Sequence, residues 1–130
     1  MWAKASQSLL LVAAAGLVGC AAMKSQSRLF GRPSFANAQD IAIFEEGVAL
    51  AANLRFRSAE ERFQQVLGRF LEAGDAKYAS EAMFWLGYCR EKQGRHQEAT
   101  ELYYRVIASY ARSRAAELSQ QRLSLSQAGQ

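Results

Sequence analysis

Apolar residues recur three or four positions apart from Asp40 to about Leu125, which is the spacing that one face of an α-helix requires. Runs in which apolar and polar residues alternate, as a half-buried strand needs, are missing from this stretch. Asn53, Gly74 and Gly94 interrupt the helical pattern. The sequence therefore predicts consecutive helices at about 40–52, 58–71, 77–92, 96–110 and 114–125.

Capping residues predict both ends of the first helix and the start of the second. Asp40 or Asn37 can cap the first helix, and Asn53 is expected to end it in the left-handed conformation. Ser58 followed three positions later by Glu61 has the form of a capping box. This pair predicts that the second helix starts at Ser58.

The predicted helices repeat along the chain at one constant offset, since 87 − 47 equals 106 − 66. The residues that recur at this offset are Gly47, Ala59, Phe63 and Val66, followed by Gly87, Ala99, Tyr103 and Val106. The pattern resembles the tetratricopeptide repeat, a helix–turn–helix unit of about 34 residues. The resemblance implies an all-α fold over positions 40–125, with two tetratricopeptide-like hairpins and a C-terminal capping helix in a short α-solenoid. A generic four-helix bundle would not require the matched glycines and alanines.

The fifth predicted helix is expected to cap the array. Its apolar residues Ala115, Leu118 and Leu125 are expected to cover the core, and its polar outer face is expected to include Arg122. A cap of this kind is needed because a hairpin cannot bury its apolar face alone.

In this family the first helix of each hairpin lines a concave face. Carried over position by position, the resemblance implies a partner-binding groove formed by Phe44, Val48, Phe84, Trp85, Tyr88 and Lys92. The predicted third helix is apolar nearly all round, which is typical of a helix covered on both sides. Three interpretations stay open: a partner segment fills the groove, residues 29–35 fold back into it, or the aromatic residues are core packing.

A second signal lies near the start of the chain, where Lys4 precedes an apolar run from Ser8 to Gly19. Its 19 − 8 + 1 = 12 residues are too few for a membrane-spanning helix, which needs about 20, and they match the apolar region of a secretory signal. Leu17–Val18–Gly19–Cys20 resembles the lipobox of bacterial lipoproteins. The resemblance implies a signal peptide at 1–19 and lipidation of Cys20. A plain signal peptide and a weak anchor are the alternatives.

Residues 20–39 are predicted to be the lipidated cysteine and a flexible tether, because this stretch is rich in serine and holds Pro33. Residues 126–130 are predicted to be a disordered tail. Ala21 is not the aspartate that often retains lipoproteins in the inner membrane. The resemblance therefore implies a periplasm-facing lipid anchor in the outer membrane, with the outer leaflet of the inner membrane as the alternative.

Composition and side-chain chemistry argue against several classes of function. The chain has 16 basic and 12 acidic residues and a formal net charge of +4, but the basic residues are scattered among glutamates and form no nucleic-acid footprint. With Cys20 lipidated, Cys89 has no disulfide partner. His96 is the one histidine, and neither a catalytic set nor a phosphate loop can be assembled. We expect no enzyme activity, metal, cofactor or small-molecule substrate.

These observations predict a membrane-anchored adaptor of the cell envelope that docks an envelope protein or peptide segment in its groove. In character it resembles the tetratricopeptide lipoproteins of outer-membrane assembly and of Tol-Pal coordination. The alternative function is a structural subunit or pilotin-like chaperone of an outer-membrane assembly, secretion or pilus complex.

Overall fold

The computed structural model describes residues 36–129, so the predicted signal peptide, Cys20 and most of the predicted tether lie outside the described residues. The described part contains five helices: α1 (Ala38–Ala52), α2 (Phe56–Ala73), α3 (Ala76–Lys92), α4 (His96–Ser109) and α5 (Arg114–Ala128). No strand is present between residues 36 and 129, which confirms the predicted all-α fold. None of these five helices is both long and apolar enough to cross a membrane.

The helices form two layers. Each helix packs on the next one along the chain, and α3 also contacts α1 and α5. Short loops join them, so consecutive helices run antiparallel. The first layer therefore consists of α1, α3 and α5, and the second consists of α2 and α4. This is the predicted solenoid of two hairpins and a terminal helix.

Two glycines allow the helices of each hairpin to approach closely. A Cβ atom at Gly47 would lie 2.9 Å from the Phe63 ring, and one at Gly87 would lie 3.0 Å from the Tyr103 ring. Both distances are shorter than nearly all real Cβ contacts, so a larger residue at either position requires the ring to move. The sequence repeat therefore reflects one glycine–aromatic packing contact that is made once in each hairpin.

The core lies between the layers, where α3 contributes the buried residues Ala82, Met83, Leu86 and Cys89. The terminal helix contributes the small buried residues Ala115, Ala116 and Ser119. The expectation that Leu125 helps to cover the core is wrong, since this residue is 61% exposed. The buried residues of α5 all lie within its first two turns, whereas Leu125 lies near the C-terminal end of the helix.

The folded domain begins earlier and ends later than the sequence predicts. Asn37, not Asp40, caps α1, since its side chain accepts a hydrogen bond of 3.0 Å from the backbone N–H of Gln39. The buried Ala36 donates its N–H to the Asp75 carboxylate at 3.1 Å, so residues 36–39 belong to the fold and not to the tether. At the other end, α5 continues through residues 126–128 of the predicted disordered tail, because no helix-breaking residue occurs before Gly129.

The predicted start of the second helix is wrong. The helix begins at Phe56, so Ser58 lies inside its first turn and makes no capping box. Arg55 occupies the cap position without a side-chain hydrogen bond. The hydrogen bonds of the turn account for this start, since the Arg55 N–H donates to Leu50 and the Arg55 carbonyl accepts from Ala59. Arg95 makes the equivalent bonds before α4, which begins at His96. The turn therefore overrides the local capping signal.

The turn between α1 and α2 holds a strained residue. The sequence predicts the left-handed conformation for Asn53, but its φ is −88°, and the left-handed residue is Leu54, with φ 61°. The reason is the hydrogen bonding of the turn, in which the Leu54 and Arg55 N–H groups donate to Ala51 and Leu50. The same bonds recur in the next hairpin, where Gly94 takes the left-handed position with φ 81°. Leu54 is 75% exposed, so little burial offsets its strain.

We predict that Leu54→Gly stabilises the domain. The left-handed conformation costs a leucine about 1–2 kcal/mol, whereas glycine loses about 0.5–1 kcal/mol through backbone entropy. The free energy of unfolding, measured by urea denaturation, should therefore rise by about 0.5–1 kcal/mol. Gly94→Ala is the matched control and should lower it by about 1 kcal/mol. A Leu54→Gly variant that is less stable than wild type would contradict this prediction and would show that the Leu54 side chain stabilises the fold.

Candidate partner-binding groove

A concave groove runs across the layer formed by α1, α3 and α5. Its volume is about 360 Å³. The residues that line it are Phe44, Glu45, Val48, Glu81, Phe84, Trp85, Arg114, Ala115 and Leu118. All of them belong to the three helices of the first layer, so the groove has the location that the sequence analysis expects for a concave binding face.

Four of the six predicted groove residues come together here. Val48 and Trp85 are half-buried and present side-chain surface to the groove, whereas Phe44 and Phe84 are only 5% and 6% exposed and form its floor. Tyr88 and Lys92 lie further along α3 and do not line this groove. Their place in a binding site stays a prediction.

The groove floor is continuous with the core. The Trp85 ring stacks on Phe63 at a centroid distance of 6.1 Å and an interplanar angle of 13°. Phe44 meets the edge of Phe63 at 5.6 Å, and Phe84 meets that of Trp85 at 5.8 Å. Such pairs add to the stability gained from burial alone. The aromatic residues thus serve as core packing on one side and as groove surface on the other.

Tyr88 packs beside the groove, between α2 and α5. The Lys92 ammonium lies 5.3 Å from its ring centroid, and the Arg122 guanidinium lies 5.4 Å away. A cation within about 6 Å of an aromatic centroid is attracted by the ring. The predicted residues Tyr88 and Lys92 therefore contact each other, and Arg122 joins them from the terminal helix.

The wall that α5 contributes to the groove was not predicted from the sequence, and it includes Arg114 and Leu118. A signal for it is present in the helix starts, because 76 − 38 and 114 − 76 are equal. Each start follows a residue whose side chain caps the helix, and these residues are Asn37, Asp75 and Ser113. The terminal helix is therefore the first helix of a third unit, as well as a cap for the second.

A buried carboxylate ties the two hairpins together. Glu60 of α2 is 4% exposed and accepts hydrogen bonds from Gln93 at 2.8 Å and from Arg90 and Arg95 at 3.0 Å. Burial alone would raise the pKa of Glu60. The three hydrogen bonds outweigh burial and hold its pKa below the usual value.

A second carboxylate holds the terminal helix in place. Glu91 of α3 accepts hydrogen bonds from the Tyr103 hydroxyl at 2.6 Å and from the guanidinium of Arg122. Burial opposes ionisation, but these bonds lower the pKa of Glu91 overall. Burial and the bond to Glu91 raise the pKa of Tyr103. The expected place of Arg122 on the polar outer face of the last helix is wrong, because Glu91 draws its side chain inward.

The remaining candidate groups lack a reactive setting. Burial raises the pKa of the Cys89 thiol to about 12, so the thiol is protonated near neutral pH. His96 is exposed at the start of α4. In the part of the chain that the structure describes, no group of three histidine, cysteine or acidic residues is placed to hold a metal ion. What the groove offers is an apolar surface with a charged rim, which is suited to binding.

Comparison with known proteins agrees with this architecture. Residues 44–114 match the sequence model of the tetratricopeptide repeat family, and this stretch is more than half of the 130-residue chain. The match begins within α1 and ends at the first residue of α5. No curated protein matches the chain significantly.

We predict that Glu60→Gln destabilises the domain in a pH-dependent way. Hydrogen bonds to a charged group contribute about 1.5–3 kcal/mol, so the variant should lose about 2 kcal/mol in free energy of unfolding at pH 7. Because the folded-state pKa of Glu60 is lowered, this contribution is complete above its unfolded-state pKa of about 4.3. It is lost as the pH falls through the folded-state pKa, so wild type and variant should converge in acid.

Urea denaturation between pH 3 and pH 7 measures this difference, with the exposed neighbour Glu61→Gln as the matched control. The control should stay within about 0.5 kcal/mol of wild type. Equal losses in the two variants at pH 7 would show that the Glu60 contacts do not stabilise the fold.

Proposed function

Because the chain belongs to the tetratricopeptide repeat family, we propose that it is a non-catalytic scaffold that docks a segment of a partner protein between α1, α3 and α5. Tetratricopeptide repeats are protein–protein interaction modules. The observation that carries the proposal is the groove itself, in which Val48, Trp85 and Leu118 face one concavity from three different helices.

Two physical features favour this use of the groove. Tryptophan and buried apolar pockets are frequent anchors of binding energy at protein interfaces. The floor of the groove is also packed into the core through the stack of Trp85 on Phe63. A partner segment therefore meets a surface that needs little rearrangement, which lowers the entropic cost of binding.

Site-specific photocrosslinking in cells tests the docking site. A photoreactive phenylalanine derivative is placed at Leu118 in the groove or, as the control, at Tyr104, which is 54% exposed on α4 and does not line the groove. We expect a discrete protein adduct from the Leu118 position and none from the Tyr104 position. Equal adducts from both positions, or an adduct from Tyr104 alone, would contradict docking in the groove.

We further propose that the module works at a membrane surface, held by lipid on Cys20 and facing the periplasm, where it recruits a partner of the cell envelope. The support is the apolar run 8–19 followed by Cys20, with the small residues Val18 and Gly19 before the cysteine. Most of the predicted tether separates Cys20 from Ala36, the first described residue of the folded domain.

Metabolic labelling with an alkyne fatty acid in a Gram-negative bacterium tests the anchor. The wild-type chain and the control Cys89→Ser should both take up the label, whereas Cys20→Ser should take up none. The labelled protein should have the mass of a chain that begins at Cys20. An unlabelled wild-type chain with an intact Met1 would rule out lipidation at this position.

A further inference from the structure

A second concavity continues the groove toward the loop between α4 and α5. Its volume is about 770 Å³, and it is lined by the first two turns of α3 and by residues 109–115. Glu81, Arg114 and Ala115 line both spaces, so the two concavities are adjacent on one surface. A single extended segment can lie across both.

The two spaces differ in the charge of their lining residues. The groove is lined by two carboxylates, Glu45 and Glu81, and one cation, Arg114. The second concavity is lined by one carboxylate, Glu81, and three cations, Lys77, Arg112 and Arg114. Among residues 36–129, none of these three cations lies within 4.0 Å of a carboxylate oxygen. Their positive charge is therefore not neutralised by a carboxylate, and within the described residues the one aromatic contact among them is that of the Lys77 ammonium, 5.3 Å from the Tyr78 ring centroid. We call these three residues the cationic trio.

The local backbone adds to this positive potential. The α5 helix begins at Arg114, and the N-terminus of a helix carries a partial positive charge. Glu45 lines the groove alone, whereas Glu81 lines both spaces. The lining of the groove therefore has a formal charge of 1 − 2 = −1 and that of the second concavity 3 − 1 = +2, which favours an acidic side chain beside the cationic trio.

We propose that the partner segment presents an apolar side chain to the groove and an acidic side chain, a few residues away, to the cationic trio. This rests on the proposed function, since it names the chemistry of the segment that the groove receives. Because an extended chain advances about 3.3 Å per residue and the two concavities share three lining residues, the apolar and acidic side chains are expected to be a few residues apart. The apolar contact supplies most of the affinity, and the charge fixes the direction and register of the segment.

A random dodecapeptide library displayed on phage is the probe, and it is selected against the immobilised full chain. We expect enriched sequences to share an apolar residue followed or preceded by Asp or Glu at a fixed short separation. Replacing that acid by its amide in a synthetic peptide should weaken binding at least about tenfold in fluorescence anisotropy, as the loss of a charge-assisted contact requires. This measurement needs no change to the protein.

Charge reversal of the protein provides the complementary test. The variant Lys77→Glu, Arg112→Glu and Arg114→Glu should lose the same peptides and select basic ones instead. The matched control reverses three exposed cations away from the concavities, Arg55, Arg57 and Arg105, and so has the same net charge. It should bind the wild-type peptides nearly as tightly as wild type does.

The outcomes separate the inference from the proposed function. Enriched peptides that show no acidic preference, or that bind the charge-reversed variant as well as wild type, overturn the cationic site while the groove stands. Peptides whose binding survives both Val48→Glu and Leu118→Glu overturn docking in the groove itself. Failure to select any peptide overturns both.

Discussion

The close approach of two helices at a glycine is the contact on which the rest of this structure depends. In each hairpin a glycine of the first helix faces an aromatic ring of the second, as Gly47 faces Phe63 and Gly87 faces Tyr103. A Cβ atom on either glycine would lie within 3.0 Å of the ring, so the ring or the helix that carries it would have to shift. The rings are held against backbone as a result, and interiors packed this densely transmit displacement to their neighbours.

Each of these rings also supports part of the binding surface. Phe63 lies under Trp85, so the first glycine contact sets the depth of the groove floor. The Tyr103 and Phe84 ring centroids are 5.8 Å apart. The Tyr103 hydroxyl also donates a hydrogen bond to Glu91, which in turn binds Arg122. The second glycine contact thereby fixes the helix that forms the third wall. The groove is thus an extension of the core packing, and its shape follows from the same two contacts.

The sequence predicted features that depend on local sterics and missed some that depend on contacts with a neighbouring helix. The repeat was visible because Gly47 and Gly87 meet the same steric requirement at equivalent positions of the two hairpins. The helix start at Phe56 was not, since it depends on the hydrogen bond from the Arg55 N–H back to Leu50 of the preceding helix. Four groove residues on α1 and α3 followed from the family pattern, whereas Tyr88 and Lys92, predicted from the same pattern, do not line this groove. Those on α5 were missed because the small buried residues of α5 make only a weak apolar stripe, which does not reveal which side faces the groove.

The distribution of charge separates the groups that hold the fold from those that are free to bind. Glu60 and Glu91 are enclosed by arginines, so their charge is satisfied within the domain and contributes little field outside it. The cationic trio costs little to leave unpaired, because exposed ion pairs contribute about 0–1 kcal/mol to stability. An incoming carboxylate that is partly desolvated by the adjacent apolar groove interacts more strongly, since screening by water decreases. Charge that adds little to folding is therefore placed where it can discriminate between partners.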